Sequence, residues 1–224
     1  MLRDEDRKFL KEKFEKMLEN RVRLLLFTSE DSEYCKLTEN LLKEVEKLSE
    51  KIELEVYDIN SEDAKIRNVI HVPTTILTDE NDELDSRVRF LGIPSGYEFT
   101  TLVKDILFIS THHLEIMNLT IRELEKIEND LRIEIFVTPN CPHCPRAVML
   151  AHQFAMVCEK ITSEMINAVE FPSLAEKWNI RSVPHTVVKN ENLGNVVRFT
   201  GAFPENYVLN LVLEADNGKD ISLG

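Results

Sequence analysis

The chain has 224 residues, 43% of them hydrophobic and 30% charged, with a formal charge of -13. Such a length and composition suit one large globular domain or two modest ones, each able to bury a core, and exclude a disordered chain. The acidic balance excludes a nucleic-acid partner, which needs a Lys/Arg patch against phosphate, and reads as solubility and solvated helix faces.

A membrane span needs roughly 20 apolar residues in a row. The longest apolar-leaning stretch, Val148 to Cys158, is shorter and is interrupted by His152 and Gln153, so no membrane contact is expected. Charges from Arg3 to Lys8 stand where a secretory signal would turn apolar, and the expected location is cytoplasmic. The cysteines, Cys35, Cys141, Cys144 and Cys158, are too few for a disulfide framework. A closely spaced pair among them points to redox or metal chemistry.

In chain order, a charged amphipathic segment (Asp6 to Leu18) precedes an apolar run of buried-strand length, Val22 to Phe27. A polar turn leads to a helical pattern over Tyr34 to Ser49, a strand over Ile52 to Ile59 and a shorter helix over Glu62 to Val69. Val72-Pro73 opens a β-branched strand, Asp79 to Asp85 is a turn-rich break, a last strand ends at Gly92, and a helix follows. Ser110 to Asn118, containing His112 and His113, lacks apolar periodicity and reads as a linker.

The plan then repeats. Ile121 to Asn129 precedes the strand Ile133 to Val137, a helix over Cys144 to Lys160, a strand over Thr162 to Val169 and a helix over Ser173 to Trp178. Val183-Pro184-His185 opens the next strand, Asn190 to Asn195 is the turn, and the last strand ends at Gly201. Phe27 and Phe136, Ser32 and Cys141, Cys35 and Cys144, and Gly92 and Gly201 all stand 109 residues apart, while Pro73 and Pro184 stand 111 apart. Internal repetition with one small indel follows. The order β-α-β-α-β-β-α with an extra leading helix resembles that of thioredoxin. The expected fold class is α/β, two tandem thioredoxin-like domains over residues 1–114 and 115–224, each with a mixed four- to five-stranded sheet flanked by helices. The first three strands of each copy alternate with helices and are expected to be parallel; the last two should form an antiparallel hairpin.

Cys141-Pro142-His143-Cys144 falls where a strand hands over to a helix. A thiolate, not a thiol, attacks a disulfide, and a helix N-terminus offers unpaired N–H groups and positive dipole to an anion. Cys141 is expected to be the attacking sulfur and Cys144 the resolving one. Pro142 suits a first helical turn, where its missing N–H costs nothing. A protonated His143 would stabilise the neighbouring thiolate and bias the couple towards the oxidising side. The same pair could form half of a zinc site, but the chain has no second C-x-x-C, and no metal is expected. Cys158 reads as a small buried residue.

The segment Phe136 to Pro145 resembles the active-site turn of thioredoxins and glutaredoxins, and Val183-Pro184 resembles their cis-proline bond, whose preceding backbone faces the cysteines and can pair with substrate. Together with Phe90 to Phe99 and Phe199 to Asn206, the pattern resembles the glutaredoxin-like protein disulfide oxidoreductases, single chains of two fused thioredoxin-fold units. The resemblance implies substrate contacts at Val183, Pro184 and His185, exchange with protein thiols and disulfides, a separate reductase or oxidant, and no cofactor beyond the redox-active disulfide. Members usually carry C-x-x-C in both units, whereas this chain has a degenerate first site, Ser32-Glu33-Tyr34-Cys35 with Val72-Pro73, which cannot cycle as a dithiol. Two alternatives stand beside this reading: a redox-inactive thioredoxin-fold scaffold, or an electron relay like the tandem-thioredoxin portion of the alkyl hydroperoxide reductase flavoprotein. No Gly-rich dinucleotide loop is present for the latter's flavin chemistry.

Overall fold

The computed structural model describes residues 2–223 and gives the repeat a physical form. The first copy comprises α1 (Asp4–Met17), β1 (Val22–Thr28), α2 (Glu33–Glu46), β2 (Ile52–Asp58), α3 (Glu62–Ile66), β3 (Thr74–Asp79), β4 (Val88–Leu91) and α4 (Glu98–Thr111). The second comprises α5 (Asn118–Leu124), β5 (Leu131–Val137), α6 (Cys144–Val157), β6 (Ile161–Asn167), α7 (Pro172–Lys177), β7 (His185–Asn190), β8 (Val196–Thr200), α8 (Glu205–Asp216) and a short β9 (Ile221–Leu223). The offset of 109 read from the sequence carries β1 onto β5 and β2 onto β6 residue for residue.

The two sheets expected from the sequence are one. Nine strands run in the order β2-β1-β3-β4-β6-β5-β7-β8-β9, joined at the middle by parallel pairing of β4 with β6, Val88 opposite Ser163 through Leu91 opposite Ile166. The expectation of three parallel strands per copy is corrected. β1 and β2 are parallel, but β3 runs antiparallel to β1, and β7 to β5. A parallel return must carry the chain back along the whole strand, ~20 Å for six residues. The five residues of α3 rise only ~7 Å. β3 starts beside the end of β1 where β2 finished, and the chain runs back from there.

Strand alternation sorts the core into faces. One continuous core, from Leu10 and Phe14 on α1 to Val212 and Ala215 on α8, lies under the larger helices of both copies. On the other face α3 covers Leu25, Phe27 and Ile76, and α7 covers Phe136, Ile166 and Val187. Between these small clusters, charges cross the seam. Arg132 donates from Nη1 to Glu164 Oε1 at 2.6 Å, and Arg89 Nη1 stands 3.7 Å from the same oxygen. Trp178 donates its indole N–H to Glu134 at 2.8 Å.

α4 lies between the copies and is buried on nearly every side, with Leu102, Val103, Ile106, Phe108 and Ile109 all in the interior, as an all-round apolar helix requires. It ends in a left-handed residue, His112, with His113 exposed just after it, while Ser110 and Thr111, expected in the linker, belong to the helix and Ser110 is buried.

Just before α4, Gly96 (φ +61) lies so close to the second copy that a Cβ there would sit 2.2 Å from the carbonyl oxygen of Pro139. Gly96→Ala is therefore expected to force the copies apart locally and to cost about 2–3 kcal/mol. A lowered urea midpoint at unchanged denaturant slope would record it; an unchanged midpoint would mean that this contact yields freely.

Candidate redox site

Cys141 and Cys144 form a disulfide with Cα atoms 5.5 Å apart, at the C-terminal end of β5. Cys144 is wholly buried and Cys141 is 7% exposed, so the attacking position alone meets solvent. The helix begins at Cys144, as the sequence pattern placed it, and the expectation that Pro142 sits in its first turn is corrected. Cys144 is the first residue of α6, Pro145 is the proline of its first turn, and Pro142 and His143 lie in the exposed turn ahead of it. Pro142 thus lies ahead of the first helical turn rather than in it. No side chain caps α6, which leaves its first N–H groups without a side-chain acceptor beside the sulfurs.

The Val183-Pro184 bond is cis, as is Val72-Pro73. Because β7 enters the sheet with His185 opposite Phe136, Val183 and Pro184 lie alongside the end of β5 and the start of the cysteine turn. The backbone N–H and C=O of Val183 have no hydrogen-bond partner among the described residues. His185 shares the α7 face with Val187. Its Nδ1 is bonded to Thr200 Oγ1 at 2.8 Å, and burial, followed by the charge of Arg198, lowers its pKa.

In the first copy, Ser32 caps α2 by accepting the Cys35 N–H at 3.3 Å. Cys35 is a free thiol, 1% exposed, whose sulfur accepts the Ser29 N–H at 3.5 Å. Cys158 ends α6 rather than lying on it, is buried and free, and has its pKa raised chiefly by that burial. Among the described residues no cluster of His, Cys, Asp and Glu could hold a metal ion, and no helix is long and apolar enough to cross a membrane.

Sequence reasoning missed a group of buried polar residues at the seam. Glu98, in the first turn of α4, is 1% exposed; Oε2 accepts the Thr101 hydroxyl at 2.6 Å and Oε1 has no partner among the described residues. Burial pushes its pKa up to about 7. One turn or two further on, Asp105 of α4 meets His152 of α6 at 2.6 Å, both fully buried. Burial raises the Asp105 pKa against the opposing pull of His152. The residue before Glu98, Tyr97, donates its N–H to Pro139 O at 3.1 Å, which ties this end of α4 to the turn that carries Cys141. The available signal was His152, a break in an otherwise apolar helix face.

These features define a tandem thioredoxin-fold protein with a dithiol at one of its two strand-to-helix turns. A family model described as a thioredoxin domain matches residues 131–214. A protein disulfide oxidoreductase from Aeropyrum pernix K1 is 31% identical and superposes with a TM-score of 0.87, covering 98% of this chain and 96% of that one. The alkylhydroperoxide reductase AhpF of Enterococcus faecalis, at 25% identity, gives a TM-score of 0.83 over 94% of this chain and 99% of the compared chain. The corresponding alkyl hydroperoxide reductase protein of Xanthomonas campestris is 30% identical over 161 residues, 72% of this chain but 28% of that protein. The chain spans only 22% to 28% of the curated relatives it matches. It belongs to the glutaredoxin-like protein disulfide oxidoreductases, the family of tandem thioredoxin-fold chains.

The pKa of Glu98 gives a pH signature. A carboxyl at its ordinary value unfolded and at about 7 folded binds more protons in the native state between those values. Stability is then full at low pH and declines as pH rises through 7, by about 3 kcal/mol at 1.36 kcal/mol per unit. Glu98→Gln is expected to abolish that decline in urea midpoints taken across this range, and a persisting decline would assign it to another group.

Proposed function

We propose that this chain exchanges disulfides with protein substrates through Cys141 and Cys144. The observation that carries the reading is the solvent-edged Cys141, bonded to a wholly buried Cys144, beside the unpaired backbone of Val183. That backbone supports pairing with an extended substrate strand, with Pro184 and His185 flanking it.

In the reducing direction, the Cys141 thiolate attacks one sulfur of a substrate disulfide; a Cys141–substrate disulfide forms and the other substrate sulfur leaves as a thiolate. Cys144 then loses its proton and attacks the Cys141 sulfur, which closes the internal disulfide and expels the second substrate thiolate. Two electrons pass to the substrate, and a separate thiol or reductase must restore the dithiol. The same steps reversed make the chain an oxidant. Because Cys144 has no solvent contact, its proton must go to a protein group. Glu98, titrating near neutrality on the helix tied to this turn, is the candidate acceptor.

His143, exposed in the turn, is the proposed tuning group. The first copy, with Ser32, Cys35, Val72 and Pro73, supplies packing and surface rather than turnover. We place the division between copies at residues 114 and 115, the site of action in the cytoplasm, and no cofactor beyond the disulfide. A relay to a peroxide-reducing system is a second reading, favoured by the likeness to the alkyl hydroperoxide reductase protein of Xanthomonas campestris over 72% of the chain. It differs in the acceptor, not in the dithiol chemistry.

Insulin reduction by dithiothreitol tests the main reading. Cys141→Ser should lose all catalysed turnover, Cys144→Ser should accumulate a mixed disulfide visible by mass, and Cys35→Ser should leave the rate unchanged. A parent chain without turnover in this assay, but able to pass electrons to a peroxide-reducing protein, would favour the relay. A second expectation concerns His143→Leu. Loss of the imidazole two residues from Cys141 should move the couple to a more negative potential, by about 30 mV for each 1.4 kcal/mol of thiolate stabilisation removed, and glutathione equilibration would measure it.

A further inference from the structure

The seam between the copies is a head-to-tail contact: the outer edge of β4 receives β6 in parallel. At the repeat offset, β8 presents the same edge again, with Val197-Arg198-Phe199 in the places of Val88-Arg89-Phe90. That edge is already covered. β9 lies parallel on it, with Ile221, Ser222 and Leu223 opposite Val197, Arg198 and Phe199. Ser163, Glu164 and Met165 lie opposite Val88, Arg89 and Phe90 in the same way. β9 therefore sits in the seat that β6 fills at the seam.

It sits there lightly. β9 has three described residues, its Leu223 is 36% exposed, and among them the side-chain bond to β8 is that of Arg198 Nε–H to Ser222 Oγ at 2.9 Å. Met165, the counterpart of Leu223, is fully buried, and the seam is further closed by α4 packed on α6.

At the opposite end of the sheet β2, the counterpart of β6, pairs only with β1 among the described residues. Its outer edge is open and carries the matching groups. Val56 stands in the place of Met165 and is 45% exposed. Glu55 stands in the place of Glu164 and holds Arg23 as Glu164 holds Arg132. Set against β8 of another copy, Glu55 would meet Arg198 as Glu164 meets Arg89. On the helices, Lys43 of α2 takes the place of His152, and Glu214 of α8 that of Asp105. Where the seam has its hydrogen-bonded acid–base pair, such a contact would bring Lys43, paired within its own chain with Glu39, towards Glu214, paired with Lys219, groups of opposite charge.

We propose that β9 is a built-in edge cap, and that the edge it covers is a docking site for β2 of a second copy of this chain, paired as β6 pairs with β4. Open strand edges template such pairing, and a head-to-tail contact that does not close on itself adds copies without stopping at two.

Sedimentation velocity over a wide range of concentration tests this on the full chain and on one lacking residues 221–224, which keeps the Asp220 carboxylate on the Val196 N–H. The shortened chain should rise about twofold or more in mass with concentration while the full chain stays single. Val56→Lys in the shortened chain should restore the single mass. Should the shortened chain lose its far-ultraviolet circular dichroism, Leu223→Asp in the full chain weakens the cap without removing it, and the same association is expected. Folded variants of both kinds that stay single at every concentration would overturn the proposal, as would association that Val56→Lys leaves intact.

Discussion

The parallel pairing of β4 with β6 is the contact on which the rest of the molecule rests. It turns two small sheets into one, with Val88 to Leu91 held against Ser163 to Ile166. Everything that follows β4 is then delivered onto the second copy. The Ile93 N–H reaches the Glu170 carboxylate at 3.0 Å, Gly96 presses on Pro139, and α4 is trapped between the sheet and α6. A first copy without a dithiol can therefore still shape the redox turn of the second. It does so through backbone contacts that leave no room for a side chain at Gly96.

Burying α4 also buries its polar side chains, and this is costly. Glu98, Asp105 and His152 each keep a side-chain atom without a partner among the described residues, and a buried carboxylate lacking full compensation is destabilising. A well-packed apolar seam would give as much or more stability. The expense is local, since Leu102, Ile106 and Phe108 on the same helix are apolar. It falls at the end of α4 that is bound to the cysteine turn and on the helix that Cys144 begins. On the proposed mechanism, a group that can take a proton near neutral pH is what a wholly buried resolving thiol lacks in solvent and needs in the protein.

The repeat made most of the fold legible. A shared offset and apolar runs of strand length located β1, β2, β5 and β6 to within a few residues, and the turn-rich breaks located the hairpins. Strand direction was less accessible, because alternation with helices suggests a parallel return, whereas β3 and β7 run antiparallel to β1 and β5. The seam could not be read at all, since periodicity within a strand says which face is buried but not which edge meets another. β9 was missed for a related reason: three residues are too few to show a period. The cysteine pair and the Val-Pro bonds were plain because their chemistry is local. Glu98 was hidden because an acidic residue early in a helix reads as a dipole partner on a solvated face, and only the packing of the second copy removes the solvent.

The two turns show how little separates a structural site from a chemical one. Ser32 accepts the Cys35 N–H and starts α2 at Glu33, whereas α6 has no capping side chain and starts at Cys144, the counterpart of Cys35. A helix N-terminus attracts whatever acceptor is at hand. In the first copy a hydroxyl has taken that position, and the sulfur behind it is a buried free thiol. In the second the equivalent position holds Cys141, and once its bond to Cys144 is reduced the same geometry offers the Cys144 N–H to a sulfur anion rather than to a neutral oxygen. A charged acceptor gains more from the dipole than a hydroxyl does, so the vacancy that a serine fills for stability becomes, with a cysteine in its place, a source of thiolate.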